Sequence, residues 1–138
     1  MKKLLSINNS SNTTDLALLI ARAGIAVLML THGIPKLTML FSGAPVQFPP
    51  VMGMSSELSL SLTVFAEVIC SILILVGFAT RLAVVPLIVT MMVAALLIHA
   101  NDPFGKQEPS LQYLLVYLVL LLGGSGKYST DYLLKMSK

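Results

Sequence analysis

Charge is what this sequence most lacks. Asp, Glu, Lys and Arg make up 11% of its 138 residues, against about 25% in an ordinary soluble domain. With 56% of residues hydrophobic, too few charged side chains remain to coat a water-facing surface, which argues against a soluble enzyme. The formal net charge of +3 does not point to nucleic acid, because the basic residues are scattered among apolar runs and form no patch. A single cysteine, Cys70, excludes an internal disulfide and a Cys-only metal site. Trp is absent, so anchoring at a membrane interface falls to Tyr, Lys and Arg. The methionines form no clustered run and read as soft packing rather than copper ligands.

What is present is a series of apolar stretches at membrane length. Crossing about 30 Å of hydrocarbon takes about 20 helical residues, and residues 16–41, 58–78 and 82–100 each supply that. A fourth stretch spans only if its helix runs from about 109 to 125. Pro35 should kink the first span or end its regular part, whereas Pro86 falls in the first turns of the third, where a helix tolerates it. Between the first two spans, Gly43, Pro45, Pro49, Pro50 and Gly53 alternate with Val46, Phe48, Val51 and Met52, which reads as an irregular loop on the mouth of a bundle. Residues 101–109 read as a short polar loop, and Gly123, Gly124 and Gly126 end the last span.

The expected fold is therefore all-α: an integral-membrane four-helix bundle over 16–125, with an N-terminal tail at 1–15 and a polar C-terminal tail at 126–138. Lys2 and Lys3 resemble the start of a secretory signal, but Asn8 to Thr14 is polar, with no apolar core or cleavage site, so this end reads as a cytoplasmic tail. Lys2, Lys3, Arg81, Lys127, Lys135 and Lys138 fall on the terminal side and only Lys36 and Lys106 flank the other. That asymmetry puts both termini in the cytoplasm.

In a bilayer the ionisable residues carry the information, since each costs about 2.5–3.5 kcal/mol or more at a helix centre. Arg22, His32 and Lys36 lie on the first span and Glu67 near the middle of the second. At 100° per residue, Lys36 falls about 40° and His32 about 80° from Arg22, so the three share one face. Counted from the outer ends near Thr38 and Leu58, His32 lies about 9 Å deep and Glu67 about 13 Å, with Arg22 towards the cytoplasmic side. His32, Lys36 or a bridging water would satisfy the Glu67 carboxylate. His99 closes the third span, and Gln112, Tyr113 and Tyr117 open the fourth, which together outline a polar cavity facing outward.

Each residue also has a plainer reading. Lys36 can snorkel to the outer interface, and Arg22 can reach cytoplasmic headgroups. His99 fits an interfacial position, and Tyr113 and Tyr117 fit packing or belt roles. Glu67 fits a structural ion pair. His32 and His99 would hold a b-type haem only at matching depth and facing each other, so haem is set aside and no metal site is expected. Cys70 reads as an inert buried thiol.

The ordered set Arg22-Ala-Gly24, His32-Gly33-Ile-Pro-Lys36-Leu37, Phe65-Ala66-Glu67-Val68, Val76-Gly77-Phe-Ala-Thr80-Arg81-Leu82 and Gly123-Gly-Ser-Gly126-Lys-Tyr128-Ser129-Thr-Asp131 resembles the DoxX family of small bacterial membrane proteins over nearly the whole chain. The resemblance implies a four-helix bundle in the bacterial cytoplasmic (inner) membrane and a link to redox chemistry. The family name derives from a membrane subunit associated with thiosulfate:quinone oxidoreductase, and some relatives are linked to thiol-oxidative or quinone stress. It maps the family's polar positions onto Arg22, His32, Lys36 and Glu67 without assigning a catalytic role. The Gly-rich stretch before Tyr128 is not a phosphate loop, because no Lys-Ser/Thr pair opens a helix after it.

Three functions stay open at this stage. The first is an accessory component of a membrane redox system, without autonomous enzymatic activity, holding a quinone-like or other small amphipathic ligand. In it Glu67 with His32 binds a carbonyl or relays its proton, Lys36 and Tyr113 orient the ligand, Tyr117 and His99 complete the polar lining, and Arg22 anchors the inner side. Electrons would come from a membrane or periplasmic redox partner protein. The second is a non-enzymatic adaptor or assembly factor that recognises another membrane protein. The third is a small proton-coupled permease, which with four spans and no inverted repeat would need a homo-oligomer.

Overall fold

A computed structural model describes residues 11–137; the expectations placed on residues 1–10 and on Lys138 lie outside them. Helix α1 runs over Ser11–Phe41, α2 over Ser56–Val76 and α3 over Thr80–Ile98. Helix α4 covers Phe104–Gly123, and a short α5 covers Thr130–Met136. No strand occurs among the described residues.

The first three helices are long and apolar enough to cross a membrane, with mean hydropathies of 1.8, 2.3 and 2.4. The fourth does not meet that combination of length and apolarity, because its first half carries Lys106, Gln107, Glu108 and Gln112. The outside of the bundle is apolar. Ile20, Leu82, Leu115 and Leu122 are each more than 60% exposed, with many other large aliphatic side chains beside them. On a water-soluble protein this would be one continuous adhesive patch; in hydrocarbon it is the solvent-matched face. The interior is a compact stack that includes Ala26, Met29, Ile74, Leu87, Tyr117 and Leu120.

Several boundaries depart from the sequence expectation. Helix α1 is already formed at Ser11, inside the segment read as a polar tail, because polar residues that extend a helix beyond the hydrocarbon meet no penalty there. It continues through Pro35 to Phe41; proline removes one amide donor but does not end this helix. Helix α4 begins at Phe104, in the segment read as a loop. The C-terminal segment read as a tail folds back as α5.

That fold-back builds one end of the bundle. Helix α2 ends in a Schellman turn, in which Phe78 N donates to Leu73 O and Gly77 N donates to Ile74 O, with Gly77 left-handed at φ 73°. Ala79 is also left-handed, at φ 47°, and offers no side-chain cap for α3. Asp131 supplies it from across the chain, accepting from Ala79 N at 2.7 Å and Thr80 N at 3.2 Å. This places a carboxylate at a helix N-terminus, where the dipole favours it. Asp131 N donates in return to Gly77 O, and Thr130 Oγ1 donates to Val76 O. Beneath this turn lies Arg22, 1% exposed, donating to Ile74 O at 3.3 Å and to Tyr128 O. Arg81 donates to Leu122 O at the end of α4, and Lys127 N donates to Asp15 Oδ1 on α1.

Gly77 is required twice, by its positive φ and because a Cβ there would lie 1.8 Å from an Arg22 guanidinium nitrogen. Gly24, with nothing within 4 Å of its virtual Cβ, provides the contrast. Gly77→Ala is expected to destabilise the detergent-solubilised protein by more than the ~1–2 kcal/mol of left-handed strain alone. Gly24→Ala should be neutral or stabilising by up to ~1 kcal/mol. Thermal melts of the two variants check this, and equal Tm values would contradict it.

Candidate functional site

At the other end of the bundle α1 and α2 cross at Gly33. A Cβ on Gly33 would come within 3.0 Å of the Glu67 backbone carbon and Cβ and 2.8 Å of a Val68 methyl, so only glycine allows this approach. One turn further on, Lys36 reaches over the crossing, and its Nζ lies 2.5 and 2.7 Å from the two Glu67 carboxylate oxygens. The Glu67 side chain is 3% exposed and that of Lys36 29%. Glu67 sits in a π-helical segment of α2, Phe65–Cys70, and the end of α3 facing it is also π-helical, Ala94–Ile98. Such wide turns re-aim side chains and recur at functional sites.

Two cavities adjoin the pair. The first, about 280 Å³, is lined among others by Met29, His32, Lys36, Glu67, Met91, His99, Lys106 and Tyr113. The second, about 290 Å³, shares Lys36, Glu67, Ala94 and His99 with the first. Its other walls are mainly apolar, with Phe48, Pro49 and Val51 contributed by the loop 42–55. That loop is held to the bundle by Val46 and Phe48, which pack against Leu60, Val64 and Val68, and by Val51 N donating to Ser59 Oγ. At the mouth His99 Nδ1 lies 2.7 Å from Asp102 Oδ2, and Gln107 donates to His99 O. The His99 hydrogen bond, with the Lys106 charge, holds the Asp102 carboxyl below its usual pKa. The support this contact gives the mouth is therefore present above the ordinary carboxyl range and lost as pH falls through the lowered value.

Of the seven residues singled out in the sequence, five line the first cavity: His32, Lys36, Glu67, His99 and Tyr113. The ring of His32 meets that of Tyr113 edge-on, with centroids 5.8 Å apart, and the partner of Glu67 is Lys36. Tyr117 is fully buried behind the cavity, stacked on Tyr113 at 6.2 Å, and its hydroxyl has no partner among the described residues. Arg22 is not brought to the site. It is 14 residues from Lys36, about 21 Å along the axis, and its guanidinium holds the end of α2. Lys106, Ser110 and the two methionines of the lining carried no sequence signal as site residues, and neither π segment has a sequence signature. Among the described residues no group of three or more His, Cys, Asp or Glu is arranged to hold a metal.

Removing one partner of a fully buried ion pair costs about 3–5 kcal/mol, and less where one side chain faces a cavity, as Lys36 does. Lys36→Met should therefore destabilise the protein measurably. Adding Glu67→Leu to it should restore part of the loss, giving a favourable coupling in a double-mutant cycle. Strictly additive melting shifts would show that the two side chains do not interact in solution.

No curated protein and no solved structure matches the chain at a significant level. The sequence model of the DoxX family matches residues 17–100, which takes in most of α1 and all of α2 and α3 with Arg22, His32, Lys36, Glu67 and His99, and stops short of Tyr113 and Tyr117. With more than half of its length matched and three helices fit to cross a bilayer, the chain is a membrane protein of the DoxX family.

Proposed function

We propose that the chain is an accessory component of a redox system in the bacterial cytoplasmic membrane, holding a quinone-like or other small amphipathic ligand in the outer half of a four-span bundle. The observation that carries this reading is the placing of the Lys36–Glu67 pair between two cavities. A purely structural pair would be closed over by packing. Here the pair faces two adjoining hollows of about 280 and about 290 Å³, each just under the about 300–1,000 Å³ usual for small-molecule sites.

The donor set suits a ligand with carbonyl or phenolic oxygens. Lys36, His32 and Tyr113 bring N–H and O–H groups to the lining of the first cavity, while Met29 and Met91 offer polarizable surface to a ring. Glu67 holds the Lys36 ammonium in place and so positions the donor. A quinone, when bound, supplies reversible two-electron chemistry; this chain binds and orients it and shields it from bulk water. With one cysteine and no dinucleotide fingerprint, the chain relies on a partner protein for electrons. The adaptor reading is less favoured, because Val46 and Phe48 of the loop turn inward to the bundle.

The basic residues Arg81, Lys127 and Lys135 at the Arg22 end support a topology with both termini in the cytoplasm. A C-terminal fluorescent-protein fusion should then be bright and a C-terminal alkaline phosphatase fusion inactive, with the reverse for insertions in 42–55; the opposite pattern would invert the topology. For the ligand, lipid extracts of the purified protein analysed by mass spectrometry should show quinone enriched over an unrelated membrane protein. That enrichment should fall to background in Lys36→Met. No enrichment, or equal enrichment in the variant, would count decisively against the reading.

A further inference from the structure

The first cavity is unequal in charge. Its lining holds two ammonium groups, Lys36 and Lys106, together with His32, His99, Tyr113 and Ser110, and one carboxylate, Glu67. Glu67 is fully used, both of its oxygens facing the Lys36 ammonium. An ammonium has three donors, so Lys36 keeps one beyond those two. The ammonium of Lys106 is only loosely engaged, 4.0 Å from Asp102, whose other oxygen is taken by His99. The Lys106 side chain is 66% exposed and stands on the first turn of α4, at the mouth. The cavity thus presents more positive charge and more donors than its own groups satisfy, and the adjoining second cavity is apolar under Phe48, Pro49 and Val51.

We propose that this site selects an anionic amphipath, a ring or short chain bearing a carboxylate or an ionised ring hydroxyl, with Lys106 as the selecting charge. The head lies between Lys106 and the remaining donor of Lys36, with His32 and Tyr113 beside it. The apolar body passes the Lys36–Glu67 pair into the second cavity beneath the loop. The pair stays intact, so no buried carboxylate is left alone. The two hollows, about 280 and about 290 Å³, together admit a ring with a short chain, which suits a small molecule as the occupant. This inference rests on the ligand-binding reading above and adds the charge of the ligand to it.

The test uses a matched pair of probes, an alkylated 2-hydroxy-1,4-naphthoquinone, whose hydroxyl is ionised at neutral pH, and its neutral 2-methoxy ether. Binding to the full chain in non-ionic detergent is read by calorimetry. The hydroxy probe is expected to bind at least tenfold tighter than the ether. Lys106→Gln, at an exposed position, should cut that ratio at least threefold by weakening the hydroxy probe more than the ether. Glu67→Gln, which removes the one repelling charge, should raise the ratio. Equal affinity for the two probes, or a ratio unchanged in Lys106→Gln, overturns the proposal and leaves the ligand-binding reading standing. Failure of both probes to bind overturns both.

Discussion

A guanidinium inside a bundle that faces hydrocarbon can find hydrogen-bond acceptors only where a helix has run out of its own. Arg22 meets that constraint by reaching one carbonyl in the last turn of α2, Ile74 O, and that of Tyr128, and much of the architecture follows. The α2–α3 corner must be tight enough to leave the Arg22 guanidinium room beside Ile74 O, which demands glycine at 77. The amides left open at the start of α3 must then be closed from elsewhere, which Asp131 does. Because Asp131 lies beyond α4, this contact ties the end of the chain to the first corner. Four separate helices acquire a common register from the need to satisfy one buried cation and one helix start.

The opposite end holds the Lys36–Glu67 pair. There the helices approach at Gly33, and the wide turns of α2 and α3 set Glu67 and Ala94 on the walls of two cavities. The two cationic side chains on α1, Arg22 and Lys36, thus have different duties. Arg22 is enclosed and donates to main-chain carbonyls, whereas Lys36 is partly open and faces a side-chain carboxylate beside space. Open space adjoins the second and not the first.

Much of the fold was legible because the bilayer imposes a severe rule on the chain, and helices of nearly uncharged residues at the right length have few other places to be. Glu67, His32 and Lys36 were legible as a group because ionisable side chains in such helices are costly, and because counting turns gives their depth. Arg22 shows the limit of that argument: helical periodicity gave it a face in common with Lys36, but the partner it chose lies on another helix and a later loop. Lys106 shows the converse. Its place in a segment read as a polar loop gave it a meaning for topology alone, and only the start of α4 at Phe104 and its packing beside α1 and α3 made it part of a cavity wall.

The sequence by itself therefore determined the environment, the helices and the small set of charges that need an explanation, since these follow from hydropathy, length and spacing along one chain. Which charge meets which partner was decided by the tertiary structure alone. It depends on the closeness of helix crossings at Gly33 and Gly77, on π turns with no signature in residue type, and on a C-terminal segment that folds back as a cap. Hydropathy places a residue at a depth, but a contact between helices also needs an angle and a distance, and those exist only after the helices have packed.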